Sequence, residues 1–222
     1  MNPKKQPFQI SSLMTVVIVL ILTIIIESSI SFTLISGVFK FQDLELLQLT
    51  WLLLRVGSVF AVILIWKLNR PTLLFQAIIF ANSLLTLGLA TTTFRLIGLL
   101  FQNNNFEAVS LLEDVALMAV VNILTFSIWY WLIDPPGIDE SQPSDAPWDF
   151  LFPQRGDTIP RYENWIPRYT DYLYLAFTTS VAFSPTDVLP LTRRAKALMS
   201  FQAGVSLISI TVIAGSAINI IG

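Results

Sequence analysis

Two groups of residues in this 222-residue chain could do chemistry in an apolar setting. Glu27 and Arg55 each interrupt a long apolar run. An unpaired charge at mid-bilayer costs roughly 2.5–3.5 kcal/mol on insertion scales. Their opposite signs on successive runs suit either a structural ion pair tying two helices together or a gating or proton-relay pair. The second group is hydroxylic. Thr178, Thr179 and Ser180 are consecutive, and Asp187 follows them. Such hydroxyls can act as ligands or hydrogen-bond partners at a pore constriction, and a carboxylate repeated around an oligomer forms a charged ring.

Other chemistries are excluded by composition. The chain has no His and no Cys. That removes disulfides, thiolate catalysis, zinc sites of the usual kind, haem held through His, and the Ser-His-Asp triad. No nucleotide-binding glycine motif is present. No enzymatic activity, metal or cofactor is expected. The formal net charge of −2 points to no nucleic-acid partner.

The elements that must position these residues are membrane spans. The chain is 54% hydrophobic and only 13% charged, against about 25% charged in soluble domains. Its apolar residues cluster in runs long enough to cross a bilayer. Spans are predicted over residues 13–35, 46–66, 73–93 (reaching 101 at most), 115–133 and 197–221. The fold class is therefore an all-α membrane protein with five transmembrane helices. Lys4 and Lys5 precede the first run as in a signal sequence, but the run continues past Glu27 without an A-x-A site, which predicts a retained anchor. Pro71 suits the first turn of the third helix. Trp129, Tyr130 and Trp131 make an aromatic belt at the end of the fourth. Arg95, Glu113 and Asp114 stand at a similar level and could form a second charged cluster.

Three regions follow: a four-helix region over 1–133, a Pro-rich polar loop over 134–168, and a C-terminal module over 169–222. Nine of the 12 Pro residues lie between Pro135 and Pro190. Pro breaks helices, so the loop should be extended, and Trp148, Phe150, Phe152 and Trp165 should pack it on the protein or the membrane interface. Lys and Arg in short loops set orientation. Lys4, Lys5, Lys67, Arg70, Arg155, Arg161, Arg168, Arg193, Arg194 and Lys196 fall on one side, and Lys40 and Arg95 on the other. This places a multi-pass protein in the cell (plasma or inner) membrane with the N-terminus and the 134–168 loop cytoplasmic and the C-terminus outside.

Residues 171–184 form a short apolar segment. At 1.5 Å per residue it is roughly 21 Å long, too short for a hydrocarbon core of about 30 Å. A half-length segment, a polar turn and a full span give the order of a re-entrant pore helix, filter and inner helix. In the last span Ser200, Gly204, Thr211 and Gly215 fall within about 60° of one another on a helix. This small-residue stripe permits close helix approach, either within the chain or at the axis of a homo-oligomer. Ser206, Ser209 and Asn219 could face water or partner helices.

The stretch "DYLYLAFTTSVAFSPTDVLPLTRRAKALMSFQAGVSL" resembles the pore module of the potassium-channel superfamily. In that pattern an aromatic-rich pore helix leads through paired threonines to Thr-Val-Gly-Tyr-Gly-Asp, then a proline, a basic residue and an inner helix with a hinge glycine. Ser180, Val181, Ala182, Phe183 and Ser184 stand at the Thr, Val, Gly, Tyr and Gly positions. Pro185 and Thr186 are additional, and Asp187 matches the Asp. Pro190, Arg193 and Gly204 fit the remainder. With "FLFPQ" before it, the region resembles more closely a family of small bacterial membrane proteins of four or five spans, of unassigned activity, with a C-terminal "DYLY-AFT…FSPTD…RRAKAL" block.

The resemblance implies a channel-like protein, a tetramer in the lipid bilayer, passing small ions through its C-terminal module. Its departures alter the filter. Filter glycines adopt φ values that residues with a Cβ adopt poorly, and Ala182, Ser184 and Pro185 remove that freedom. A wider hydroxyl- or Asp-lined pore is expected in place of a potassium-selective carbonyl cage. The charge rule would also bring this loop in from the cytoplasmic face, an inverted arrangement similar to ionotropic glutamate receptors. The alternative is a non-conducting scaffold or accessory subunit that retains a channel-like fold.

Overall fold

A computed structural model of the chain describes residues 10–30, 44–100, 108–134, 147–155, 165–182 and 187–221. The described residues form six α-helices and one two-stranded ribbon. The helices are α1 (Ile10–Ser29), α2 (Leu44–Lys67), α3 (Pro71–Leu100), α4 (Ala108–Ile133), α5 (Tyr169–Ala182) and α6 (Arg193–Ile221). All but α5 are long and apolar enough to cross a membrane. In hydrocarbon the helix satisfies every backbone group internally, which is why these runs take that form.

The predicted spans coincide with the five long helices, and their ends have local causes. The first span ends earlier than expected. Ser28 and Ser29 donate their hydroxyls back to Ile25 O at 2.7 and 3.0 Å, and residues 31–35 lie outside the described residues. Between α2 and α3 the chain turns through Asn69, whose φ of 51° lies in the left-handed region. Asparagine tolerates that conformation better than most residues. Pro71 then opens α3, where a missing N–H is not felt. The last helix begins earlier than expected, at Arg193, because Thr192 caps it: Ala195 N donates to Thr192 Oγ1 at 3.2 Å.

The core gathers around α4, which packs against α1, α3, α5 and α6. Met118, Val121, Phe126, Ile128 and Tyr130 on α4 are fully buried. By contrast α2 lies at the edge against α1 and α3, with much of its surface exposed.

The described part of the Pro-rich loop packs on the helices through its aromatics. Strand β1 (Phe150–Leu151) pairs antiparallel with β2 (Leu189–Pro190), with Phe150 opposite Pro190. A short 3-10 turn follows at Pro153–Arg155. Phe150 and Phe152 are buried, and the Phe152 ring meets those of Trp165 and Tyr172 at 5.5 Å each. These aromatics fix the ribbon over the end of α4, where Phe150 meets Tyr130, and the start of α5.

At 14 residues α5 is too short to span. It runs beside α6 in the same direction. Gln202 Nε2 donates to Ala176 O at 2.8 Å, and Ser180 meets Ser206 at 2.8 Å, so a four-residue step on one helix matches four on the other. Meanwhile Leu189 and Pro190 pair back at the ribbon.

Candidate functional sites

The intramembrane charges meet. Arg55 Nη2 on α2 lies 3.0 Å from Glu27 Oε1 on α1, with the two side chains 16% and 5% exposed. A third helix completes the junction. A Cβ built on Gly88 of α3 would overlap both Glu27 Oε1 and Arg55 Nη2. Gly88 therefore makes room for the pair, and α1, α2 and α3 converge there. The guanidinium also lies 5.6 Å from the centre of the Trp51 ring, a cation–π contact. Only one N–H of the fork is used on the carboxylate; Glu27 Oε2 and Arg55 Nε are buried without a partner.

The hydroxyl triplet is helical. Since α5 continues to Ala182, Ser180, Val181 and Ala182 have helical backbone, not the extended backbone of a filter strand. Thr178 donates to Tyr174 O and Leu175 O, and Thr179 to Leu175 O at 2.7 Å. Thr179 and Ser180 are buried; Thr178 is half-buried and Val181 exposed. Phe183, Ser184, Pro185 and Thr186 lie outside the described residues, and Asp187 is exposed.

Ser180 opens a polar chain through the interior of the bundle. Ser206 accepts from Asn122 Nδ2 at 2.9 Å, Asn122 Nδ2 also reaches Gln202 O at 3.4 Å, and Tyr130 donates to Gln202 Oε1. Asn122, Gln202, Ser206 and Ser209 are all buried. The face of α6 carrying Ser206 and Ser209 therefore points into the helical bundle of its own chain. The small-residue stripe lies on the other side. Ser200, Gly204, Thr211 and Gly215 are all exposed, and no atom lies within 4 Å of a Cβ built on Gly204 or Gly215. The side chain of Asn219 lies outside the described residues.

A cluster that sequence reasoning missed holds the ribbon end together. Asp134 follows the last turn of α4 and is buried. Its Oδ1 accepts from Asp149 N at 2.8 Å, Phe150 N at 3.1 Å and Arg155 Nη1 at 3.2 Å. Its Oδ2 accepts from Tyr172 Oη at 2.6 Å and pairs with Arg155 Nη2 at 2.8 Å. Burial, then the Asp134 carboxylate, holds the Tyr172 hydroxyl well above the usual phenol range. Asp149 is the counterpart on the ribbon. Its two oxygens accept from Arg194 Nε at 2.7 Å and Nη2 at 2.5 Å, and Thr192 Oγ1 adds a short bond. Arg194 Nη2 also reaches Ile133 O at 3.1 Å. Each buried carboxylate thus holds an arginine, and the pairs clamp the end of α4, the ribbon and the start of α6.

The sequence carried a faint signal for these residues. Gly88 is a glycine inside an apolar helix, a pattern that often marks close packing. Asn122 and Gln202 are the kind of polar residue that faces the bundle interior in a span. Nothing in the spacing of Asp134, Asp149, Arg155 and Arg194 announces that they meet.

Comparison with protein-family models, with curated proteins and with solved structures finds no match for this chain.

Proposed function

We propose that this is a channel-like integral membrane protein that assembles through the α5–turn–α6 module and passes small ions where copies of that module meet. The observation that carries the reading is the division of α6 into two faces. Its hydrogen-bonding residues Gln202 and Ser206 point inward, and Ser200, Gly204, Thr211 and Gly215 point outward with space beside the glycines. Small residues on an outward helix face permit a second helix to approach closely. In this reading α5 is re-entrant: it enters beside the start of α6, reaches the level of Ser206, and the chain returns to the ribbon at Leu189. The ion path uses the exposed Asp187, because the hydroxyls of Thr179 and Ser180 are occupied inside the chain. The Lys and Arg asymmetry supports a cytoplasmic N-terminus in this reading, with the cell membrane as the proposed location; a reporter fused to the C-terminus tests the orientation by reading an outer location.

Flux through reconstituted liposomes tests the function. The expected result is cation flux that falls at least about tenfold in Asp187→Asn, as loss of a charged ring should produce. Absence of flux under any voltage or pH contradicts it. A second reading, a non-conducting scaffold with the same fold, is favoured by the helical backbone through Ala182. It predicts that Asp187→Asn alters assembly with partners and that no flux exists to be lost.

A further inference from the structure

The junction of Glu27, Arg55 and Gly88 has an unfinished hydrogen-bond inventory. Arginine–carboxylate pairs are frequently bidentate, with two parallel N–H donors on two oxygens. Here one donor reaches one oxygen at 3.0 Å, while Glu27 Oε2 and Arg55 Nε are buried without partners. Hydroxyls near the pair in sequence are spent on their own helices. Thr23 donates to Val19 O, Ser58 to Arg55 O and Thr91 to Gly88 O. A bare carboxylate oxygen in an apolar interior costs free energy unless it is bonded or neutralised.

Arg55 has a second seat within reach. Its guanidinium already lies 5.6 Å from the Trp51 ring centre on the same helix, and it keeps more exposure than Glu27. Leaving the carboxylate would not strand the cation. The helix that would move is α2, the peripheral one, which packs only on α1 and α3 among the stronger helix contacts.

We infer that Glu27 is a proton-binding site within the membrane, taking a proton from water on Oε2 and releasing Arg55 toward Trp51 and the exposed side of α2. The proton leaves by the reverse step, and the pair re-forms. The groups around it are few. From α2 the facing charge is Arg55; the charged residue of α3 is Arg95, two turns past Gly88; α4 carries Glu113 and Asp114 in its opening turns; α5 carries Asp171. Of these, Arg55 is the one that bears electrostatically on Glu27. The inference is independent of ion flux through the C-terminal module.

The test is a pH-difference infrared spectrum of the full chain in lipid nanodiscs, read for a carboxylic-acid band. The expected result is a titrating band that disappears in Glu27→Gln and whose midpoint rises by about one pH unit or more in Arg55→Gln, because a nearby opposite charge favours the ionised carboxylate. If Glu27→Gln does not fold, Glu27→Asp keeps the carboxyl and should shift the same band. A spectrum in which no titrating band depends on residue 27 overturns the proposal. So does a midpoint that Arg55→Gln leaves unmoved, which would mark a fixed structural pair.

Discussion

Asp134 is the residue on which the ribbon end depends most. It accepts two backbone N–H groups, a tyrosine hydroxyl and an arginine fork while fully buried. The Arg155 side chain is only 4% exposed, so removing the carboxylate strands a buried charge. Breaking one partner of such a pair costs about 3–5 kcal/mol. Asp134→Ala should lose that much in reversible denaturation in detergent; a loss under about 1 kcal/mol would mean that the cluster is replaceable by solvent. Tyr172 adds a pH dependence. Its folded-state value is raised above its ordinary 10.0, so the fold favours the neutral phenol. Its contribution is full below that value and is lost as pH rises through the folded one. Thermal stability should decline in the alkaline range, and Tyr172→Phe should weaken the decline.

Gly88 makes the same point at a packing site. A methyl there meets the flexible ends of Glu27 and Arg55, which can move; a larger side chain leaves them nowhere to go. Gly88→Leu should destabilise the chain by about 1–3 kcal/mol through overpacking, and Gly88→Ala by clearly less. Equal effects of the two would show that the pair does not rest on α3.

At the scale of elements, the long helices were legible because each is a run of apolar residues whose length matches a bilayer. The stripe on α6 was legible because helical spacing is a local property of sequence. The helical state of Ser180, Val181 and Ala182 was legible in the apolar run but not in the channel pattern. The hydroxyls of Thr178 and Thr179 bond back to their own helix, and Ser180 finds Ser206, so the helix continues through residues that the channel pattern reads as filter. The ribbon clamp was illegible for a related reason. Asp134 gathers partners 15, 16, 21 and 38 residues away, and no periodicity encodes such a meeting. Charge pairing tied Glu27 to Arg55 from sequence, but Gly88 entered only through geometry.

The two faces of α6 should respond differently to mutation. Gln202→Ala removes the bonds that join α6 to Tyr130 Oη and Ala176 O, at about 0.5–1.5 kcal/mol for each hydrogen bond lost. Gly204→Ala meets no atom within 4 Å, and an exposed helical Gly→Ala gains up to about 1 kcal/mol from backbone entropy. Unfolding of the two variants side by side checks this. A Gly204→Ala destabilised in detergent-dissolved monomer would mean that the outward face is occupied within the chain; destabilised only in the assembly, it would mark the face as the contact between copies.

For the whole molecule, the account rests on α6 carrying its small-residue face to another copy. The chain has no cysteine, so a single introduced thiol reports without background. The most direct measurement is disulfide cross-linking of Gly204→Cys in native-like membranes, with Phe80→Cys on the exposed side of α3 as control. The account predicts covalent dimers from Gly204→Cys and from Thr211→Cys, and monomer from Phe80→Cys under the same oxidation. Monomer from both stripe positions, or equal cross-linking at all three, would contradict it.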